Sequence, residues 1–148
     1  MEIGANMKLS IVTTLYYSAP YIQEFYRRIC RAAAAITSDY EIIFVNDGSP
    51  DESLDIARQI VRADHRACLV DLSRNFGHHK AIMTGLSYAS GDLIFLVDID
   101  LEEPPELVTE FFETMQRTEA DVVYGVQNHR EGSLFRRLSG ELYYTLYN

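Results

Sequence analysis

Short runs of apolar and β-branched residues alternate, one for one, with stretches whose apolar residues recur every three or four positions, and this alternation narrows the possible folds more than any other feature. Leu9-Ser10-Ile11-Val12-Thr13-Thr14-Leu15 reads as a strand ended by a Ser-Ala-Pro break, and Ile22, Phe25, Tyr26, Ile29 and Ala33 then mark one helical stripe ending near Thr37. The unit repeats. Glu41 to Val45 is a second strand, and Ser49-Pro50-Asp51-Glu52 opens the next helix as a capping box with proline at its first position, its buried face carrying Leu54, Ala57, Ile60 and Val61. Ala67 to Leu72 form a third strand, followed by a helix with Ala81, Ile82, Gly85, Leu86 and Ala89. Leu93 to Val97 is apolar at every position, as expected of a strand covered by helices on both faces. Past Pro104-Pro105, a helix carrying Leu107, Val108, Phe111, Phe112 and Met115 leads to a fifth strand, Asp121 to Gly125. Such a chain predicts an α/β fold of right-handed βαβ units. Its mostly parallel sheet has helices on both faces, and its ligands lie at the carboxyl ends of the strands, near a change in strand order.

At 148 residues the chain fits one domain that buries roughly 70% of its unfolded surface, so it needs no disulfides. Cys30 and Cys68 sit in apolar stretches without metal or redox spacing and read as buried free thiols in a reducing compartment. A net charge of -9 argues against a nucleic-acid partner, whose phosphates need clustered Lys and Arg. The first residues lack the basic and apolar regions of a signal peptide, and no apolar run approaches the ~20 residues that cross a bilayer. The expectation is a cytoplasmic chain.

Two constellations fall at predicted carboxyl ends. Asp98-Ile99-Asp100 follows the fully apolar strand, and residues two apart in extended backbone point to the same side, so both carboxylates can face one cavity. Hard oxygen donors of this kind suit Mg or Mn, with substrate phosphates and water completing the shell. Asn46-Asp47-Gly48-Ser49-Pro50-Asp51 ends the second strand. It reads first as a strand-to-helix turn with Ser49 as N-cap, while the Asp47 carboxylate could also accept a hydrogen bond from a nucleobase N–H. Cations for a phosphate are sought in Arg74, Lys80 and Arg130, each of which could equally be a solvated or salt-bridged loop residue. For His78, His79 and His129, loop and helix-start roles are favoured over ligand or proton-carrier roles.

Four segments in order resemble the family-two glycosyltransferases, and most closely the polyprenyl-phosphate sugar transferases of the dolichol-phosphate mannose synthase type. They are Val45 to Asp51, Leu72-Ser73-Arg74-Asn75-Phe76-Gly77-His78-His79-Lys80-Ala81, Asp98 to Glu106, and Asp121 to Gly125, and together they span nearly the whole chain. The resemblance implies a glycosyltransferase A-type, Rossmann-like nucleotide-sugar-binding fold. It implies an inverting transferase that moves a sugar from a nucleoside diphosphate sugar, UDP-linked or related, to polyprenyl phosphate or a cell-envelope glycan. Asp47 would read the base, with Thr14 and Tyr16 beside it. Asp98 would lie near the ribose and diphosphate, and Asp100 would bind Mg or Mn with Glu102, which stands where the class usually has glutamine. Arg74, Lys80 and Arg130 would meet phosphate.

The chain departs from the pattern after its first strand, where Thr14-Leu15-Tyr16-Tyr17-Ser18 replaces proline-x-tyrosine-asparagine, and at Gln127, which replaces an arginine. No general base is nominated. The implied organisation is a leader over residues 1–7, a nucleotide-sugar-binding domain over 8–131, and over 132–148 an amphipathic helix with Leu134, Phe135, Leu138, Leu142 and Leu146, opening an acceptor half that is cut short. Membrane contact would come only through the missing C-terminal region, placing the longer protein at the cytoplasmic face; assembly into a homo-oligomer stays open. A rival reading keeps the donor site without turnover, as a nucleotide-sugar-binding or regulatory module. A dinucleotide enzyme is disfavoured because no Gly-x-Gly-x-x-Gly follows the first strand.

Overall fold

The computed structural model describes residues 7–126. Four strands, β1 (Leu9–Leu15), β2 (Tyr40–Asn46), β3 (Ala67–Asp71) and β4 (Leu93–Leu96), alternate with α1 (Ile22–Ile36), α2 (Ser53–Ala63), α3 (His78–Tyr88) and α4 (Leu107–Thr118). The sheet is parallel in the order β3-β2-β1-β4. From β1 the chain steps outward through β2 to β3, then crosses back to lay β4 on the other side of β1. The strand order therefore reverses between β1 and β4, opening a crevice at their carboxyl ends.

Alternation within the strands sorts the core into two layers. Ile11 and Leu15 of β1, Ile42 and Phe44 of β2 and Phe95 of β4 meet Phe25 and Ile29 of α1, Ala57 and Ile60 of α2, and Val108 of α4. Burying each large side chain contributes roughly 1.5–3 kcal/mol. Val12, Ile43, Val45 and Val70 face the other way, onto Ala81 of α3. Gly85 lets α3 sit close. A Cβ there would come 2.5 Å from Val12 Cγ1 and 2.9 Å from Val45 Cγ2.

A polar clamp closes the amino end of the sheet. Glu41 Oε1 accepts from Ser10 Oγ (2.6 Å), Ser90 N (2.8 Å) and Ser90 Oγ (2.9 Å), while Oε2 pairs with Lys8 Nζ at 3.0 Å. Burial pushes the Glu41 carboxyl up, but these hydrogen bonds outweigh it and hold the group at about 2. Cys30 and Cys68 are free thiols, each half-buried, and burial raises both.

Three expectations are corrected. Asp121 to Gly125 forms no strand: among the described residues the sheet stops at β4, and Val122 and Tyr124 are 75% and 78% exposed. β-propensity alone does not make a strand where no ladder partner stands beside the run. β4 is covered on one face only, with Phe95 and Val97 buried but Ile94 and Leu96 exposed, because α3 packs over β1 and β2 and does not reach across. The second helix starts at Ser53, not after Ser49: Ser49 Oγ accepts from Tyr17 N in the loop that leaves β1, and Asp51 divides its carboxylate between Ala19 N of that loop and Ser53 N at the helix start. Gln127, Arg130 and the 132–148 segment lie outside the described residues, as does the 1–7 leader except for Met7.

Candidate nucleotide-binding site

The chain leaves β1 through a sharp reversal in which Tyr17 takes a φ of 54°, a left-handed conformation uncommon for a bulky residue. Neighbours hold it there. Tyr17 N donates to Ser49 Oγ (2.8 Å), Ser18 N to Ser53 Oγ (2.9 Å) and Ala19 N to Asp51 Oδ2 (3.0 Å). Burial pushes the Asp51 carboxyl up, yet hydrogen bonds from Ser49, Ser53 and Ala19 prevail and keep it at about 2. The result is a fixed pair of tyrosines, Tyr16 and Tyr17, in edge-to-face contact at 4.8 Å and both substantially exposed.

At the end of β2, Asp47 is 2% exposed, and its oxygens accept the backbone N–H groups of Phe76 (2.7 Å) and Gly77 (3.0 Å). Gly48, at φ 62°, presses against the same loop: a Cβ there would meet the carbonyl carbon of Arg74 and the nitrogen of Asn75 at 2.5 Å. The turn after β2 and the loop after β3 are thereby locked together. Gly77, at φ 95°, precedes the first turn of α3 and brings His78 to the crevice.

Beyond β4, Asp98 and Asp100 continue the exposed side of the strand while Val97 and Ile99 stay buried. Leu101, at φ 63°, then turns the chain, and Asp100 Oδ1 accepts from Glu102 N at 3.0 Å. Asp98 Oδ1 stands 3.7 Å from His78 Nε2.

These pieces enclose a cleft of about 360 Å³ at the strand-order reversal. Of the residues expected at the site, Thr14, Tyr16, Asp47, Asp98 and Asp100 line it together. Arg74, Lys80 and Glu102 do not: all three are exposed outside the wall, and Arg74 lies over the Phe76 ring at 4.8 Å. Tyr17, Tyr21, Asn75 and His78 also line the cleft and were not expected there. Adjacency to Tyr16 is the sequence signal for Tyr17, and the Asn75-Phe76-Gly77 turn before a helix is the signal for His78. No group of three His, Cys, Asp or Glu side chains among the described residues could hold a metal by itself. Of the three carboxylates on the wall, Asp98 and Asp100 stand together after β4, and one or two carboxylates are the usual protein share of a Mg or Mn site completed by substrate phosphates. No helix among the described residues is long and apolar enough to cross a membrane.

The parallel four-stranded sheet with its helices has the glycosyltransferase A-type fold of solved structures. TarS of S. aureus matches with a TM-score of 0.63 at 24% identity, over 86% of this chain and 38% of that one. The mannosyltransferase PcManGT of Pyrobaculum calidifontis, in complex with GDP-Man and Mn2+, matches with a TM-score of 0.54 at 21% identity over 62% of this chain and 27% of that one. The profile of glycosyl transferase family 2 matches residues 10–147, and the chain belongs to that family. Among relatives, a protein of Mycobacterium tuberculosis named among glycosyltransferases is 53% identical over 93% of this chain and 40% of its own length. The undecaprenyl-phosphate 4-deoxy-4-formamido-L-arabinose transferase of Klebsiella pneumoniae is 35% identical over 91% of this chain and 41% of its own. The chain thus spans about two fifths of the length of these relatives.

Proposed function

We propose that this chain is the donor-binding part of a metal-dependent, inverting glycosyltransferase that takes a sugar from a nucleoside diphosphate sugar, UDP-linked or related, and passes it to polyprenyl phosphate or a cell-envelope glycan. One observation carries the reading: Thr14 and Tyr16 at the end of β1, Asp47 just past β2 and the Asp98, Asp100 pair beyond β4 converge on one cleft where the strand order reverses. Relatives support the acceptor class, since one is named for undecaprenyl phosphate. Neighbours support the donor class, since TarS was solved with UDP-GlcNAc and PcManGT with GDP-Man and Mn2+.

Each residue has a role that its position allows. Tyr16 offers an exposed ring against which a base can stack. Asp47, although engaged by two backbone donors, keeps lone pairs for a base N–H, because each carboxylate oxygen accepts more than one hydrogen bond. Asp98 faces the ribose and diphosphate region, and Asp100 is the residue to hold Mg or Mn. When bound, the metal offsets charge building on the leaving diphosphate, an effect of several kcal/mol. A lipid phosphate acceptor is already ionised at neutral pH and needs no protein base.

Calorimetry tests the reading. UDP or GDP binds the chain in the presence of Mn, and Asp100→Ala weakens that binding at least tenfold, about 1.4 kcal/mol. If neither nucleotide binds, the donor site is wrong; if binding survives Asp100→Ala unchanged, the metal assignment is wrong. Binding without turnover by the longer protein would favour a regulatory module instead.

A further inference from the structure

Among the described residues the cleft is walled by three carboxylates, Asp47, Asp98 and Asp100, and by no Lys or Arg. Two of the basic residues expected to meet phosphate are not on the wall: Arg74 is stacked on Phe76, and Lys80 is exposed and does not line the cleft; Arg130 lies outside the described residues. An anionic ligand entering here needs donors, and the side-chain nitrogens on the wall belong to Asn75 and His78.

His78 is the better oriented of the two. Its Nδ1 lies 3.2 Å from Thr14 Oγ1, at the end of β1, and the loop beneath it is pinned by Asp47 through Phe76 N and Gly77 N. When the Thr14 hydroxyl donates to Nδ1, the neutral ring carries its proton on Nε2. That nitrogen faces the gap toward Asp98 Oδ1, and at 3.7 Å it is beyond hydrogen-bond reach of the carboxylate. In that tautomer the ring presents a donor to the space between the ends of β1 and β4, which Asp98 and Asp100 also line.

We propose that His78 is a donor-binding residue whose Nε2–H hydrogen-bonds a phosphate oxygen of the nucleoside diphosphate, with Thr14 fixing the ring's tautomer. The assignment rests on the donor-site reading above. It gives the cleft a phosphate contact from the chain itself, independent of the arginines and the lysine. His78 binds here; it takes no part in bond breaking.

Calorimetry with Mn and UDP or GDP, paired with saturation-transfer NMR on the matching nucleoside, uridine or guanosine, tests it. His78→Ala weakens the diphosphate roughly ten- to hundredfold, as loss of a hydrogen bond to a charged group does, and leaves the nucleoside signal unchanged. His78→Gln, which keeps an N–H donor at similar reach, restores most of the affinity. Thr14→Val weakens UDP or GDP several-fold in the wild-type background and adds nothing to His78→Ala. Equal losses for nucleoside and diphosphate, or no loss for either, overturn the assignment while leaving the donor site standing. Failure of the wild-type chain to bind either nucleotide removes the donor reading itself, and this assignment with it.

Discussion

Asp47 shows how one side chain can hold a loop and line a cleft at once. Its carboxylate receives two backbone N–H groups from the loop after β3, while its position on the cleft wall leaves it open to a ligand. Asp47→Asn replaces one acceptor oxygen with an amide N–H that opposes a backbone N–H, so the loop loses a partner and gains a repulsion. The expected cost is about 1–3 kcal/mol, read as a lower urea midpoint at unchanged slope, and nucleotide affinity falls with it because Asn75 and His78 shift. Asp98 and Asp100 could be set on one side from sequence because the alternation carries past β4, with Val97 and Ile99 buried and both carboxylates exposed although the chain turns at residues 99–100. Arg74 could not, since its contact with Phe76 is a local choice of loop geometry that no periodicity encodes. Tyr17 was equally hidden: its left-handed backbone is imposed by hydrogen bonds to the 49–53 segment, far along the chain.

Among the elements, β4 makes the sharpest distinction. Phe95 is buried, edge-on to Phe111 with ring centroids 5.7 Å apart, whereas Leu96, the next residue, is 44% exposed. Phe95→Ala is expected to cost about 3–5 kcal/mol and Leu96→Thr less than about 1 kcal/mol, a contrast measurable by chemical denaturation. The apolar run Leu93 to Val97 predicts burial on both faces, because composition records that a strand is greasy and not which neighbour reaches it. β1 and α1 follow their patterns closely, with strand boundaries at Leu9 and Leu15 and the helix ending beside Thr37, since periodicity and a break signal agree there. The Ser49 box misleads because serine and aspartate caps satisfy any nearby backbone N–H, and here the loop after β1 supplied the donors. The run at Asp121 has a strand's composition without a strand partner among the described residues.

For the molecule as a whole, the two ends of the sheet are chemically unlike. The cleft and its three carboxylates lie at the carboxyl edge, and the Glu41 clamp with Lys8, Ser10 and Ser90 closes the amino edge. Glu41 titrates lower in the fold, at about 2, than its ordinary 4.5, so its contribution is complete above pH 4.5 and is lost as pH falls toward 2. Glu41→Gln should therefore lower stability near neutrality by on the order of 2–3 kcal/mol and flatten the acid limb of the curve. A residual slope would remain from Asp51, which is also held at about 2. Thermal denaturation from neutral pH to pH 2 checks both effects, and nucleotide affinity at neutral pH should not move, since Glu41 lies at the opposite edge from the cleft. Substitution at the amino edge can thus change how firmly the strands are fastened without reshaping the rim, whereas at the rim Asp47 ties the two together: whatever alters the pocket there also loosens a loop.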